Sequence, residues 1–137
     1  AAITTLFAIK FGHDQKNSLT VCLDNILRHA GITRNTEYDL AQGKTAIQIL
    51  EENMTGVQVL DLSGCSLDAV LYYVNQDIPV LAILEDGEAV LVTGFNEFNV
   101  VIMEPSTGKL YKKGMNDATT WFAENGNHFI TYMRTEN

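Results

Sequence analysis

The sequence predicts an α+β domain in which N-terminal helices pack on a mostly antiparallel C-terminal sheet. In the first half, apolar residues recur with the spacing of one helix face. The second half instead consists of short apolar runs separated by turn residues. Helices followed by strands, without regular alternation, are typical of α+β proteins. Because 137 residues are the usual length of one domain, we expect a single domain over residues 1–137.

Three helices are expected in the first half. The clearest covers residues 17–30 and is followed by Gly31, a residue that commonly ends helices. Its apolar stripe consists of Leu19, Cys22, Leu23, Ile26, Leu27 and Ala30. Shorter stretches with the same periodicity predict helices at residues 44–53 and 66–76. Either Cys65 or Ser66 caps the third helix, and Ser is the better capping residue.

The second half predicts a run of strands and one further helix. The strands are expected at residues 78–84, 89–95, 99–103, 109–113 and 127–133. Pro79 lies near the start of the first of them, where a strand tolerates proline. A short helix is expected at residues 116–124, with Asn116 as its cap and Asp117 in its first turn.

Composition argues against several functional classes. Nine Lys and Arg residues against 17 Asp and Glu residues give a net charge of −8, which disfavours nucleic acid as a partner. No apolar run is long enough to cross a bilayer, so we expect no membrane insertion of this segment. The start lacks an initiator Met and a basic region, and we expect it to be the edge of a larger protein or a processed terminus rather than a signal peptide.

Metal and cofactor sites are not expected either. His13, His29 and His128 are far apart, and Cys22 and Cys65 form no Cys-x-x-Cys pair. The glycines form neither a dinucleotide-binding fingerprint nor a P-loop. We therefore expect no metal and no cofactor.

Three segments share a pattern with one peptidase family. Residues 17–31 form a helix that ends at a glycine, residues 76–82 read Gln-Asp-Ile-Pro-Val-Leu-Ala, and residues 88–105 contain Glu-Ala-Val-Leu-Val-Thr-Gly-Phe and then Val-Val-Ile-Met-Glu-Pro. They resemble the Cys-Gly helix, the Gly-x-Pro-Val strand and the His-x-Val-x-Val-x-Gly…Asp-Pro motif of the double-glycine, bacteriocin-processing cysteine peptidases. The resemblance covers about residues 15–133 and implies a papain-like fold.

The resemblance also implies a degenerate catalytic triad. Ser18 stands at the position of the catalytic Cys, Glu88 at that of the His and Glu104 at that of the Asp. Gly12 occupies the position of the oxyanion-hole Gln. A serine hydroxyl needs a base to become a nucleophile, and a carboxylate with a pKa of about 4.3 is too weak a base at neutral pH. We therefore expect no catalytic residue at Ser18, Glu88 or Glu104.

The same site offers other candidate nucleophiles and bases. Cys22 lies one helical turn after Ser18, but its place in the apolar stripe predicts a buried, inert thiol. A base displaced to His13 or His29 has as little support as a nucleophile at Cys22, since neither histidine lies on the strand that faces the helix in the family.

The favoured interpretation is an inactive peptidase-like domain that binds a peptide or protein segment. Tyr72, Tyr73, Phe95, Phe98 and Trp121 are candidates for lining its cleft. The alternatives are a structural or oligomerisation module of an envelope protein and a hydrolase with Ser/Glu chemistry. The resemblance further suggests a bacterial protein of the cell envelope or an export machine.

Overall fold

The computed structural model describes residues 17–135, which form one β-sheet with helices on both of its faces. The helices are α1 (Ser18–His29), α2 (Glu37–Ala41), α3 (Ala46–Asn53), α4 (Leu67–Val74) and α5 (Met115–Glu124). The strands are β1 (Val57–Asp61), β2 (Val80–Ile83), β3 (Ala89–Phe95), β4 (Asn99–Glu104), β5 (Lys109–Gly114) and β6 (His128–Arg134). In this part of the chain, no helix has the length and hydropathy of a membrane-spanning segment.

The six strands form a single antiparallel sheet in the order β1-β6-β2-β3-β4-β5. Leu81 of β2 lies at its centre, opposite Leu91 on one side and Ile130 on the other. Strand β6, the last of the six in sequence, is thus inserted between β1 and β2, and β1 and β5 form the two edges of the sheet built by residues 17–135. This arrangement confirms the predicted α+β class and its antiparallel sheet.

Two apolar cores lie on opposite faces of the sheet. Helices α1 and α3 contribute to one core, together with Ala89 and Leu91 of β3. Helices α4 and α5 contribute to the other, together with Val90 and Val92 of the same strand. Because successive side chains of a strand point to opposite faces, a strand covered on both sides must be apolar throughout. This explains why β3 reads as a continuous apolar run.

Helix α1 begins and ends where the sequence indicates. The Asn17 side chain accepts a hydrogen bond from the backbone N–H of Thr20 at 2.8 Å, which caps the helix. The stripe predicted from the sequence is largely buried, and Gly31 follows with a φ of 87°. Ser66, rather than Cys65, caps α4 through a hydrogen bond to the N–H of Ala69.

The prediction of Asn116 as a helix cap was wrong. Helix α5 begins at Met115 with Gly114 as its cap residue, directly after β5. The N–H of Met115 donates to the carbonyl of Phe98 at 2.8 Å, so a contact with the neighbouring loop satisfies the first helical N–H. Asp117 lies in the first turn as expected.

Two short elements were not predicted. Strand β1 has five residues and lies at the sheet edge, and only part of it is shielded from solvent. Helix α2 also has five residues, too few to show a helical periodicity. Its position is fixed by the buried carboxylate of Asp39, which accepts hydrogen bonds from Arg34 at 2.9 to 3.1 Å.

Replacement of the α3 cap is expected to weaken the fold measurably. Thr45 Oγ1 accepts from the N–H of Gln48 at 3.1 Å, and the Gln48 side chain accepts from the N–H of Thr45 at 2.8 Å. Thr45→Ala should lower the free energy of unfolding by about 1 kcal/mol in urea denaturation, because one helical N–H loses its partner. Thr120→Ala, at an exposed position of α5, is the control and should change it by less than about 0.5 kcal/mol. Equal stability of the two variants would contradict the capping role.

Candidate functional site

A cleft of about 220 Å³ lies where the start of α1 meets the ends of two strands. We call it the α1–β3 cleft. It is lined by Ser18, Leu84, Asp86, Glu88, Ala89, Val90, Glu104, Pro105, Tyr111 and Trp121. The three positions that the sequence placed in a degenerate triad, Ser18, Glu88 and Glu104, therefore share one cleft.

Ser18 is tied directly to the sheet. Its Oγ accepts a hydrogen bond from the backbone N–H of Ala89 at 2.7 Å, across 71 positions of sequence. Ala89 is the first residue of β3, and Ser18 is the first residue of α1. The hydroxyl therefore joins the N-terminus of the helix to the beginning of the strand.

The two carboxylates do not contact that hydroxyl. Glu88 is exposed, in a turn in which its own N–H donates to Asp86 Oδ1 at 2.9 Å. Glu104 Oε1 accepts from the N–H and from the hydroxyl of Ser106, each at 3.1 Å. Neither carboxylate forms a hydrogen bond with Ser18 within residues 17–135. A general base must lie within hydrogen-bond reach of the proton that it takes, so this arrangement lacks a Ser–carboxylate pair.

No histidine within the described residues lines the α1–β3 cleft. His29 lies at the opposite end of α1, where its Nε2 is 2.9 Å from the carbonyl oxygen of Asp77. His128 is exposed at the start of β6 and lines a different pocket. His13 and the Gly12 position both lie outside the described residues.

Cys22 lies behind the cleft in the first core and is fully buried. Burial raises the pKa of its thiol from 9.0 to about 12, and the negative charge of Glu104 adds to the rise. The thiol is therefore protonated at neutral pH, as its place in the apolar stripe predicts. Glu104 and Ser18, the first residue of α1, line the same cleft.

The aromatic residues at the cleft differ from those expected. Of the five candidates, Trp121 lines it, whereas Tyr72, Tyr73, Phe95 and Phe98 do not. Tyr111 of β5 lines it as well, and it was missed. The hairpin register pairs Tyr111 with Ile102 and Lys109 with Glu104, which places Tyr111 on the same face as Glu104. The sequence predicted both strands of this hairpin, but not the register that places Tyr111 on the face of Glu104.

The acidic residues do not converge as metal ligands. Within residues 17–135, no group of three or more His, Cys, Asp or Glu residues is arranged to hold a metal ion. The part of the α1–β3 cleft formed by residues 17–135 is nevertheless acidic, since its charged residues are Asp86, Glu88 and Glu104.

Comparisons with known proteins bear on the fold. No protein-family model matches the sequence, and no curated protein matches it. A solved structure described as a C39-like peptidase from Bacillus anthracis is similar, with a TM-score of 0.73 and 15% identity over 88% of this chain and 90% of that chain. This likeness supports a C39 peptidase-like fold. The expected papain-like α+β fold is confirmed.

The buried thiol gives a prediction about chemical reactivity. In a Cys65→Ser variant, Cys22 should react with iodoacetamide at pH 8 at least about 10-fold more slowly in the native protein than in urea, because burial raises the pKa of its thiol and shields it from the reagent. The wild-type chain is the control, since its half-buried Cys65 should supply one faster thiol. A native Cys22 that reacts as fast as the unfolded chain would contradict the assignment.

Proposed function

We propose that the chain is a catalytically inactive papain-like domain that binds a peptide or a segment of polypeptide in the α1–β3 cleft. One observation carries the proposal: the Ser18 hydroxyl accepts a hydrogen bond from the Ala89 N–H, in a cleft that contains carboxylates and no imidazole among residues 17–135. The peptidase-like architecture is retained, while the groups needed for acyl transfer are replaced.

The chemistry of the cleft supports inactivity. Cysteine peptidases of this architecture need a thiolate beside an imidazole. Ser18 has no base within hydrogen-bond distance in the described residues, and one oxygen of Glu104 is already shared with Ser106. The same facts argue against the alternative of a Ser/Glu hydrolase, because no carboxylate receives the proton of the Ser18 hydroxyl.

The lining of the cleft supports a particular kind of peptide. Its volume of about 220 Å³ is smaller than that of typical small-molecule sites, about 300–1,000 Å³, and suits one inserted side chain. Asp86, Glu88 and Glu104 favour a cationic group, and no Lys or Arg among residues 17–135 lines the cleft, although the Lys113 ammonium lies 4.7 Å from the centroid of the Trp121 ring. Trp121 and Tyr111 offer apolar surface to the aliphatic part of that side chain. The favoured ligand is thus a Lys or Arg side chain flanked by apolar residues.

Peptide binding can be followed with the only tryptophan of the chain. Trp121 lines the cleft, so its fluorescence should change when acetyl-Gly-Leu-Lys-Leu-Gly-amide binds. The analogue with Glu in place of Lys should bind at least about tenfold more weakly, because its charge meets the cleft carboxylates. The double variant Glu88→Gln and Glu104→Gln should lose binding to the Lys peptide by a similar factor.

Peptide binding and catalytic inactivity are tested by separate controls. Glu51→Gln removes one exposed acidic charge on α3, outside the cleft lining, and should leave binding unchanged. Mass spectrometry of the incubated peptide should show no cleavage. Enzymatic cleavage would overturn inactivity. No saturable fluorescence change, or equal binding of the Glu peptide, would overturn the proposed ligand class.

Restoration of the triad tests the assignment of the three positions. In a Cys65→Ser background, the combination Ser18→Cys, Glu88→His and Glu104→Asp should create a thiol that iodoacetamide alkylates faster than ordinary cysteine at pH 6–7. A helix N-terminus and a nearby imidazole both stabilise thiolate. Ser18→Cys alone in the same background is the matched control and should react more slowly. A folded triple variant that reacts no faster than this control would contradict the assignment.

A further inference from the structure

A second pocket lies at the other end of α1, and its volume is about 480 Å³. We call it the α1–β6 pocket. It is lined by His29, Ala30, Ile32, Met54, Thr55, Gly56, Val57, Tyr132 and Arg134. No residue in the described part of the chain lines both this pocket and the α1–β3 cleft. Since α1 has 12 residues, its two ends lie roughly 16 Å apart. This volume is within the usual range of small-molecule sites.

Tyr132 brings an unused polar group to this pocket. The side chain is only 2% exposed, yet its hydroxyl forms no hydrogen bond with any described residue. In the described part of the chain, Thr20 Oγ1 is the one side-chain polar atom that is fully enclosed and lacks a hydrogen-bond partner. The Tyr132 hydroxyl also lacks a partner but is not fully enclosed, so it is accessible in the pocket that Tyr132 lines. A nearly buried hydroxyl with no protein partner is suited to bind a ligand.

Arg134 supplies a positive charge beside that hydroxyl. The two residues are separated by one position on β6, so they share a face of the strand. Burial raises the pKa of the Tyr132 phenol, the Arg134 charge opposes that rise, and the Asp77 carboxylate adds to it. Within residues 17–135, Arg134 forms no ion pair with a carboxylate. Its guanidinium is available for an anion.

The remaining lining complements these two groups. His29 lies at the pocket with its Nε2 at the Asp77 carbonyl oxygen, which fixes the ring and requires Nε2 to donate. Ile32, Met54 and Val57 supply an apolar wall. Among residues 17–135, the lining contains the Arg134 guanidinium and no Asp or Glu, although the Asp77 carboxylate acts on Tyr132. In a chain with a net charge of −8, this part of the lining carries a positive charge.

We infer that the α1–β6 pocket binds a small carboxylate with an apolar side chain, of the class of N-acylated amino acids. The carboxylate pairs with the Arg134 guanidinium and accepts from the Tyr132 hydroxyl, both of which form stronger hydrogen bonds to a charged acceptor. The apolar side chain packs against Ile32, Met54 and Val57. This site is independent of the proposed peptide-binding cleft.

The test uses the full chain, labelled with ¹⁵N, and N-acetyl-leucine as the probe. Titration should give saturable amide shifts at residues 29–32, 54–57 and 132–134, with a Kd in the range of about 1 mM. N-acetyl-leucinamide, which lacks the carboxylate, should bind at least about tenfold more weakly. Arg134→Gln should weaken binding of the acid by at least about tenfold, and Tyr132→Phe by about threefold, because it retains the ring and loses one hydrogen bond.

Arg28→Gln is the matched control, because it removes one positive charge from the last turn of α1 without touching the pocket lining. It should bind the probe as the wild type does. Three results would overturn the inference: no saturable shifts up to about 10 mM, equal binding of the amide, or equal losses in Arg28→Gln and Arg134→Gln. Trp121 fluorescence should not respond to the probe, and a response there would place the ligand in the α1–β3 cleft instead.

Discussion

The two central strands β2 and β3 are covered by apolar side chains on both faces, and most other features of the fold follow from that requirement. Leu81 and Leu91 face the core under α1 and α3, whereas Val80 and Val92 face the core under α4 and α5. The helices must therefore divide between the two faces, even though three of them precede every strand. Helix α1 can then place its N-terminus at β3, where the Ser18 hydroxyl meets the Ala89 N–H.

Sequence patterns predicted the parts of this architecture that depend on long, regular apolar periodicity. Helix α1 and strand β3 were located almost to the residue. The buried face of α1 requires a helical spacing of apolar residues, and the two buried faces of β3 require a continuous apolar run. Strand β1 and helix α2 were missed, since five residues carry too little periodicity and their positions depend on distant partners. The cap of α5 was misplaced because a tertiary hydrogen bond to Phe98 replaces a local side-chain cap.

The candidate sites show the same division between local and long-range information. Ser18, Glu88 and Glu104 were selected by resemblance and share one cleft, yet no local pattern indicated that the hydroxyl would bond to a backbone N–H instead of a carboxylate. The α1–β6 pocket could not have been found from sequence at all. Its lining comes from three separate segments, and Tyr132 reads simply as a core residue of a strand.

Among residues 17–135, the edge strand β5 pairs only with β4, so one row of its backbone N–H and C=O groups faces away from this sheet. Such an edge can template pairing between molecules. Three of the six residues in β5 are lysines, Lys109, Lys112 and Lys113, in a protein that has few basic residues. Two copies that approached edge to edge through β5 would bring these ammonium groups together and repel each other. The strand therefore carries its own protection against growth of the sheet from one molecule into the next.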